Sequence, residues 1–562
     1  MLYSDAALSF WGGVEATTGL VVDRHHPLCG QSIAGKILVI PGSRGSCTGS
    51  GVMLELVLNA RAPAALVVVD GEEILPLGVM VGEEVFAKSI PVASVDADAF
   101  ARLKACRHLR VSAGVVEEVA EPGGGAEHRV ETRIDGPAGF AGLALGEQDR
   151  AFLAGQEGEA TRVAMRIVLR FAELLGARRL IDVRQAHIDG CIYTGPGGLG
   201  FAEKMAEWGG RTRIPTTLNA VSVDCRRWRD MGVDPAVGAP ASRLAETYVR
   251  LGAQPTFTCA PYLLATAPAF GEQIAWAESN AVVYANSVIG ARTMKYPDFV
   301  DICIALTGRA PDAGGHGDAG RRATLKIEVP RLAGADESFF PLLGYLVGDL
   351  AKSEIPLIVG LEQAKPTLDE LKSFGAAFAT TSSAPMFHIA GITPEATTGA
   401  LHGAIGRARS IGLADLVDAW HRLNSADGPS VELISIGSPH VSIDELARMA
   451  ALCRGRNKKA DVAIVVACGR AVYERASEAG SIDELRSFGV EFVTDTCWCM
   501  LGEPVVAPRV RAIMTNSAKY AHYAPALTGR PARFGSLADC VHAACDGRAK
   551  DGPPSWLVDR RP

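Results

Sequence analysis

The residues with the most chemical potential in this chain gather in a few short stretches. The first is ILVIPGSRGSCTGSGVMLELVLNARAPAALVVVD, from Ile37 to Asp70. An apolar run enters a loop of glycine and small hydroxyls, and a helical pattern and a second apolar run follow. Within PGSRGSCTGSG, Gly42, Gly45, Gly49 and Gly51 open backbone conformations that a Cβ would forbid. The helix that follows turns unpaired N–H groups and the positive end of its dipole toward the loop, which makes an anion site. The GK[ST] ending of a nucleotide-binding P-loop is missing and so is GxGxxG, so neither nucleotide reading follows. A free serine is a poor base. At a helix N-terminus, with amide donors and Arg44 nearby, the conjugate base of Ser46 is stabilised and can take a proton in a closed site. Capping of the helix by Ser46 or Ser50 is the plainer use of the same hydroxyls.

Sulfur supplies the second chemistry. Thirteen cysteines stand at irregular spacing with no pair of CxxC motifs, which removes zinc-ribbon and ferredoxin readings and predicts mostly free thiols in a reducing compartment. Cys259 in TFTCAPY and Cys497 in VTDTCWCM each follow an apolar run, amid threonine, aspartate and aromatic residues. Thiolates converging from such positions are what an iron–sulfur cluster requires; a buried structural thiol is the alternative. His187, in QAHIDGCIYTGPGGLGF, precedes a glycine-rich segment that lets a small ligand approach the backbone. IPTTLNAVSVD offers Thr217 and Asn219 as neutral polar contacts. NSAKYAHY offers Ser517, Lys519 and His522, where the lysine can pair with a carboxylate or lie on a solvated helix face. Asn286 and Arg292 of ANSVIGARTMKYPD, and His388 of FHIAGITPEA, suit either a site or an ordinary turn.

Elements must position these groups. Up to about residue 130, KILVI, AALVVVD and SIPVASVD read as strands, and VMLELVLNA between the first two reads as a helix. That is a right-handed βαβ unit. EPGGGAEHRVETRIDGPAGFAG reads as a linker or irregular arm, with the linker proper at 131–143. From residue 144, helical stretches such as ATRVAMRIVLRFAELLG alternate with the strand-like runs RLIDV, TFTC, AVVYA, PLIVGL, VELISIG, ADVAIVVACG and EFVTDTC. The alternation predicts an α/β protein with mostly parallel sheets, whose carboxyl edges are where such sheets bind ligands. Cys259, Ser438, Cys468 and Cys497 all lie just after an apolar run. A formal net charge of -7 argues against a nucleic-acid partner. No run reaches the roughly 18 apolar residues of a membrane span, and MLYSDAALSFWGG lacks the pattern of a secretory signal. A soluble, cytoplasmic protein is the expectation.

Several of these motifs together resemble the aconitase X branch of the aconitase superfamily. They are LSFWGGVEATTGLVVDRHHPLCG, KILVIPGSRGSCTGS, RIPTTLNAVSVD, TFTCAPY, ANSVIGART, FHIAGITPEA, IGSPHVS, VTDTCW and TNSAKYAHY, in the family's order and over nearly the whole chain. The resemblance implies a small swivelling domain, 1–130, fused to a large cluster-bearing domain, 144–562. The fused arrangement is similar to the bacterial type that acts on cis-3-hydroxy-L-proline; the two-chain archaeal type acts on mevalonate 5-phosphate. By the same resemblance Ser46 falls on the proton acceptor, Cys259 and Cys497 on cluster ligands, and Gly197, Gly198 and Asn219 on substrate contacts. The archaeal IGCPH motif reads IGSPH here, with Ser438 in the place of the third cysteine. That departure points to a two-iron [2Fe-2S] cluster, or to Ser438, Cys499 or Cys468 as a substitute ligand.

The implied reaction is loss of water from cis-3-hydroxy-L-proline. Ser46 takes the C2 proton, a cluster iron acts as Lewis acid toward the C3 hydroxyl, and the enamine tautomerises to Δ1-pyrroline-2-carboxylate. Arg44 and Lys519 are the expected carboxylate or oxyanion partners, with Ser50, His187 and Thr217 completing the substrate set. No nicotinamide or nucleotide is called for. The expected partner is a small hydroxy amino acid met by a monomer, with neither nucleic acid nor membrane. Competing readings are a dehydratase of another hydroxy acid such as mevalonate 5-phosphate and a non-catalytic binding protein on the same scaffold. An RNA-sensing role is disfavoured by the acidic balance.

Overall fold

The computed structural model describes residues 1–558 except 25, 45, 113–114, 120–125, 132–139, 141, 331, 333 and 398–404. Most of the expected linker, 131–143, lies outside the described residues. Two compact units emerge. The first comprises Met1–Thr216, Glu246–Ala253 and Tyr296–Ala313; the second comprises Thr217–Ala245, Gln254–Lys295 and Gly314–Pro562.

The first unit opens with four parallel strands in sequence order, β1 (Leu2–Tyr3), β2 (Ile37–Val39), β3 (Ala65–Val69) and β4 (Val92–Val95). Helix α1 (Gly49–Leu58) joins β2 to β3, α2 (Ile74–Phe86) joins β3 to β4, and α3 (Ala97–Leu103) follows. Alternate residues enter two cores. Leu38, Leu66 and Val68 pack on Met53, Leu56, Leu75 and Val79 of α1 and α2, while Val39, Val67 and Ala93 pack on Ala99, Phe100 and Leu103 of α3. Burial on both faces is why these strands read as unbroken apolar runs. Gly78 allows α2 to close on α1, since a Cβ there would stand 2.4 Å from the carbonyl oxygen of Ser50.

An antiparallel meander follows, β5 (Leu109–Ser112), β6 (Val115–Val119) and β7 (Ala126–Glu131). Strand β7 lies inside the stretch expected to be an irregular arm. The glycine-rich and charged composition hid a strand whose pairing partner is the preceding hairpin strand. The same unit continues with α4 (Glu147–Leu153), α5 (Glu159–Leu174), β8 (Leu180–Asp182), β9 (Ala186–Ile188) and α6 (Pro196–Glu207). Helix α5 buries Val163, Ile167 and Phe171, and the ring of Phe171 lies 6.1 Å from that of Tyr296.

The second unit holds two parallel sheets. One runs His388–Ile389, Pro356–Val359, Leu325–Glu328, Arg407–Ser410 in space. The other runs Val490–Val493, Ala463–Ala467, Leu433–Ile436, Ile513–Thr515, Ala532–Phe534. The chain starts this second sheet at its centre, builds outward through 463–467 to 490–493, then returns to the far side of its first strand. That reversal, between Leu433–Ile436 and Ile513–Thr515, is a topological switch point. Two strand expectations fail. TFTC carries no strand, and AVVY of AVVYA belongs to the helix Ser279–Tyr284, which Glu278 starts by accepting the Ala281 N–H at 2.7 Å. Every residue of that helix is buried, so no apolar period distinguished helix from strand. Among the described residues no helix is long and apolar enough to cross a membrane.

Candidate active site

The hydroxyl loop connects β2 to α1 and is pinned at several points. Glu72 accepts the Ser43 N–H at 2.6 Å and its hydroxyl at 2.9 Å, and it also takes the Ile74 and Leu75 N–H groups that begin α2. Arg44 donates to Asp23 at 2.6 Å and to the Ala7 carbonyl at 3.1 Å. Half-buried Ser46 accepts the Thr48 N–H at 3.2 Å and donates to Thr48 Oγ1 at 3.0 Å. Thr48, with 0% of its surface exposed, donates in turn to Asp189 Oδ2 at 3.4 Å. Ser50 is not the cap: it sits inside the first turn and donates to the Cys47 carbonyl at 3.1 Å. Its neighbour Thr48 occupies the cap position.

Behind this loop lie three buried carboxyls, Asp189, Asp298 and Asp301. Asp301 accepts the amides of Asp189 at 2.7 Å and Gly190 at 3.0 Å. Burial, against the pull of these amides, brings it up to about 6. Asp298 is raised well above the carboxylate range, first by burial and then by the two neighbouring aspartates. At the start of α6, Glu55 accepts the N–H groups of Gly197 at 2.6 Å and Gly198 at 3.1 Å. Gly197 and Gly198, the glycines expected to meet substrate, thus have their amides held by Glu55. The signal for this was the buried glutamate in an otherwise apolar α1.

In the second unit the carboxyl edge of the five-stranded sheet carries Ser438, Cys468, Cys497 and Ser517 just beyond their strands. At the switch point the Ser517 hydroxyl donates to the Ser438 carbonyl and accepts the Tyr520 N–H at 3.1 Å, capping the helix Ala518–Thr528. Lys519, in the first turn of that helix, pairs with Glu278 at 3.1 Å. His440 donates its backbone N–H to Cys259 Sγ at 3.3 Å. Its ring lies between Thr258 Oγ1, 3.1 Å from Nδ1, and the Thr496 carbonyl, 2.8 Å from Nε2. A carbonyl only accepts, so Nε2 carries the proton. Burial draws His440 down to about 4 and keeps the ring neutral.

The thiols meet here. Cys497 shares hydrogen bonds with Cys259 and Cys499; that with Cys259, the largest influence, helps push it up to about 12. Cys499 is raised further, by its bond to Cys497 and by burial, and lies in hydrogen-bond reach of Ser438. Burial works against the Lys519 ammonium, but Glu278 and the three sulfurs outweigh it and raise its pKa. Cys468 lies instead in the apolar core with Ile436 and Val466. Among the described residues no three histidine, cysteine or acidic side chains surround one point as for a metal ion; the thiols associate pairwise through Cys497. Their chemistry is nonetheless that of a soft thiolate donor set, and a metal displaces the protons they now share. These residues fit an iron–sulfur group.

Four family models cover most of the chain: the aconitase X swivel domain at residues 1–118 and the aconitase X first, second and third domains at 142–319, 323–421 and 431–546. A protein of Hypocrea jecorina named cis-3-hydroxy-L-proline dehydratase is 55% identical over 99% of this chain and 95% of its own length. One of the same name from Pseudomonas aeruginosa is 53% identical over 100% of this chain and 96% of its own. The chain belongs to the aconitase X family. A solved structure of Thermococcus kodakaraensis aconitase X in its holo-form matches with TM-score 0.65 at 29% identity, covering 72% of this chain and 100% of that one.

Within this aconitase X chain the expected site residues divide between the units. Arg44, Ser46, Ser50, His187, Gly197 and Gly198 belong to the first; Thr217, Asn219, Cys259, Ser438, Cys497, Cys499 and Lys519 belong to the second. Asn219 turns its carbonyl oxygen onto the Ala220 N–H at 2.7 Å, and His187 is wholly buried. Other polar residues singled out from sequence hold the scaffold. Asn286 receives the buried Arg321 guanidinium at 3.0 Å, His388 Nε2 meets the Arg321 carbonyl at 2.7 Å, and Arg292 pairs with Asp318. Sequence reasoning missed Thr48, Asp189, Glu278 and His440. Thr48, Asp189 and His440 lay inside quoted motifs without being singled out, and the partners of Asp189, Glu278 and His440 are far away in sequence.

Proposed function

We propose that this chain is a hydro-lyase that dehydrates cis-3-hydroxy-L-proline to Δ1-pyrroline-2-carboxylate. The observation that carries this is full-length identity above one half to two proteins of that name. Cys259, Cys497 and Cys499, with Ser438 beside them, would hold the family's iron–sulfur cluster, proposed to be [2Fe-2S]; when bound it supplies a Lewis acid for the departing hydroxyl. The chain's own residues do the rest. Ser46 takes the C2 proton, its oxygen held in place by the Thr48 amide. As the C2–H pair moves into the ring, the C3–O bond breaks and the enamine leaves to tautomerise. Arg44, oriented by Asp23, and Lys519, oriented by Glu278, are the proposed partners of the carboxylate and of developing negative charge. The setting proposed is a cytoplasmic monomer. Anaerobically purified protein is expected to turn over cis-3-hydroxy-L-proline and to leave mevalonate 5-phosphate untouched; turnover of the phosphorylated acid alone overturns the reading. Colourless, iron-free protein after anaerobic reconstitution would mark a binding protein instead.

A further inference from the structure

We infer that Asp189, acting through the hydroxyl of Thr48, is the positioning residue that draws the proton out of Ser46. The inference rests on the reading of Ser46 as base. A serine hydroxyl accepts a carbon-bound proton only if its own proton has somewhere to go. The Ser46 hydroxyl donates to Thr48 Oγ1 at 3.0 Å, and the Thr48 hydroxyl donates to Asp189 Oδ2 at 3.4 Å. Two hydroxyls and a carboxylate thus form one directed chain running from a half-buried serine to a buried acid.

A second observation shows that this orientation is not incidental. Thr48 stands at the cap of α1, where a threonine ordinarily turns its oxygen onto an amide of the first turn. Here it makes no side-chain cap bond, and its oxygen spans Ser46 and Asp189 instead. The acid end is also fixed: Asp301 grips the amides of Asp189 and Gly190. Ionisable groups close to Asp189 include Cys191 on its own loop and Asp298 and Asp301 on the segment Tyr296–Ala313.

The substrate C2–H bond breaks and its proton forms the Ser46 O–H. The former Ser46 proton passes to Thr48 Oγ1, and the Thr48 proton passes to Asp189, which becomes a carboxylic acid. The C2–H electron pair becomes the new carbon–carbon π bond as the C3–O bond breaks. The Asp189 proton then returns along the same hydroxyls, and Ser46 releases one proton to the departing hydroxide as water.

The test uses the full-length, anaerobically purified protein. Thr48→Val is expected to lower kcat by about 10²-fold or more with KM within about threefold, whereas Thr48→Ser keeps kcat within about fivefold. Asp189→Asn is expected to lower kcat similarly and to remove the acid limb of the kcat–pH profile, with melting temperature and visible spectrum unchanged. Wild-type kcat for C2-deuterated substrate in H2O–D2O mixtures should bow, since more than one proton moves, and this reading needs no variant to fold. Near-normal kcat in Thr48→Val or Asp189→Asn, an acid limb that survives in Asp189→Asn, or a linear dependence on deuterium fraction overturns the inference. An inactive Ser46→Ala beside an active Thr48→Val defeats the relay alone, while an active Ser46→Ala defeats the reading beneath it.

Discussion

At the scale of single residues, the chemistry rests on one hydroxyl and a small group of sulfurs. Ser46 supports only a local turn on Thr48, so Ser46→Ala should lower kcat by about 10³-fold while moving the melting temperature by no more than a degree or two; steady-state assay and calorimetry check both. Cys497 stands between the other two thiols, whereas Cys468 belongs to the apolar core. Cys497→Ala is therefore expected to give protein without iron or visible absorbance, and Cys468→Ala to retain both. Iron analysis reversing that order would mean that another sulfur ligates. TDTCWCM was legible in sequence because a rare residue recurs after an apolar run. Glu278 and Asp189 were not, because each acquires its role from a partner more than 100 positions away.

At the scale of elements, buried polar contacts decide how helices dock. Lys372 on the helix Leu368–Thr381 is 3% exposed and reaches Asp369 at 3.3 Å and Glu445 on the helix Ile443–Cys453. Glu445 also closes a capping box with Ser442. Lys372→Met leaves the Glu445 carboxylate without its cation, while Asp369 keeps Arg448, and should cost about 3–5 kcal/mol, much of it recovered by Glu445→Gln in the same chain. Denaturant titration of the two variants measures this. Thr367, which caps the first of these helices from an exposed position, should cost about 1 kcal/mol on change to alanine. Such boxes are visible in sequence as TLDE and SIDE; the buried lysine linking them is not, since it reads as a surface charge on an amphipathic helix.

At the scale of the whole molecule, stability should respond to pH through a partly buried acid. Glu73, at the start of α2, is pushed up to about 8, first by burial and then by Glu72. The folded chain keeps this proton while the unfolded chain releases it near the ordinary glutamate value of 4.5. The folded state therefore binds more protons between those values, and stability falls as pH rises from about 4.5 to about 8. Glu73→Gln removes this dependence. Its melting temperature relative to wild type should be higher at pH 8 than at pH 5, by the equivalent of up to about 4 kcal/mol. An equal difference at both values would show that Glu73 ionises freely in the fold.

The alternation of helices with parallel strands and the family were already written in the amino-acid sequence, because apolar period, glycine placement and motif order are local properties. What the chain could not reveal locally was decided by packing. The strand Ala126–Glu131 exists through its pairing with Val115–Val119, and the buried helix Ser279–Tyr284 has no polar face to betray its period. The amides of Gly197 and Gly198 are claimed by Glu55, and Thr48 gives up its cap to join Ser46 to Asp189. For Glu55 and Thr48 a buried polar group took the partner that tertiary structure brought to it, since leaving it unpaired away from water costs more than any local preference.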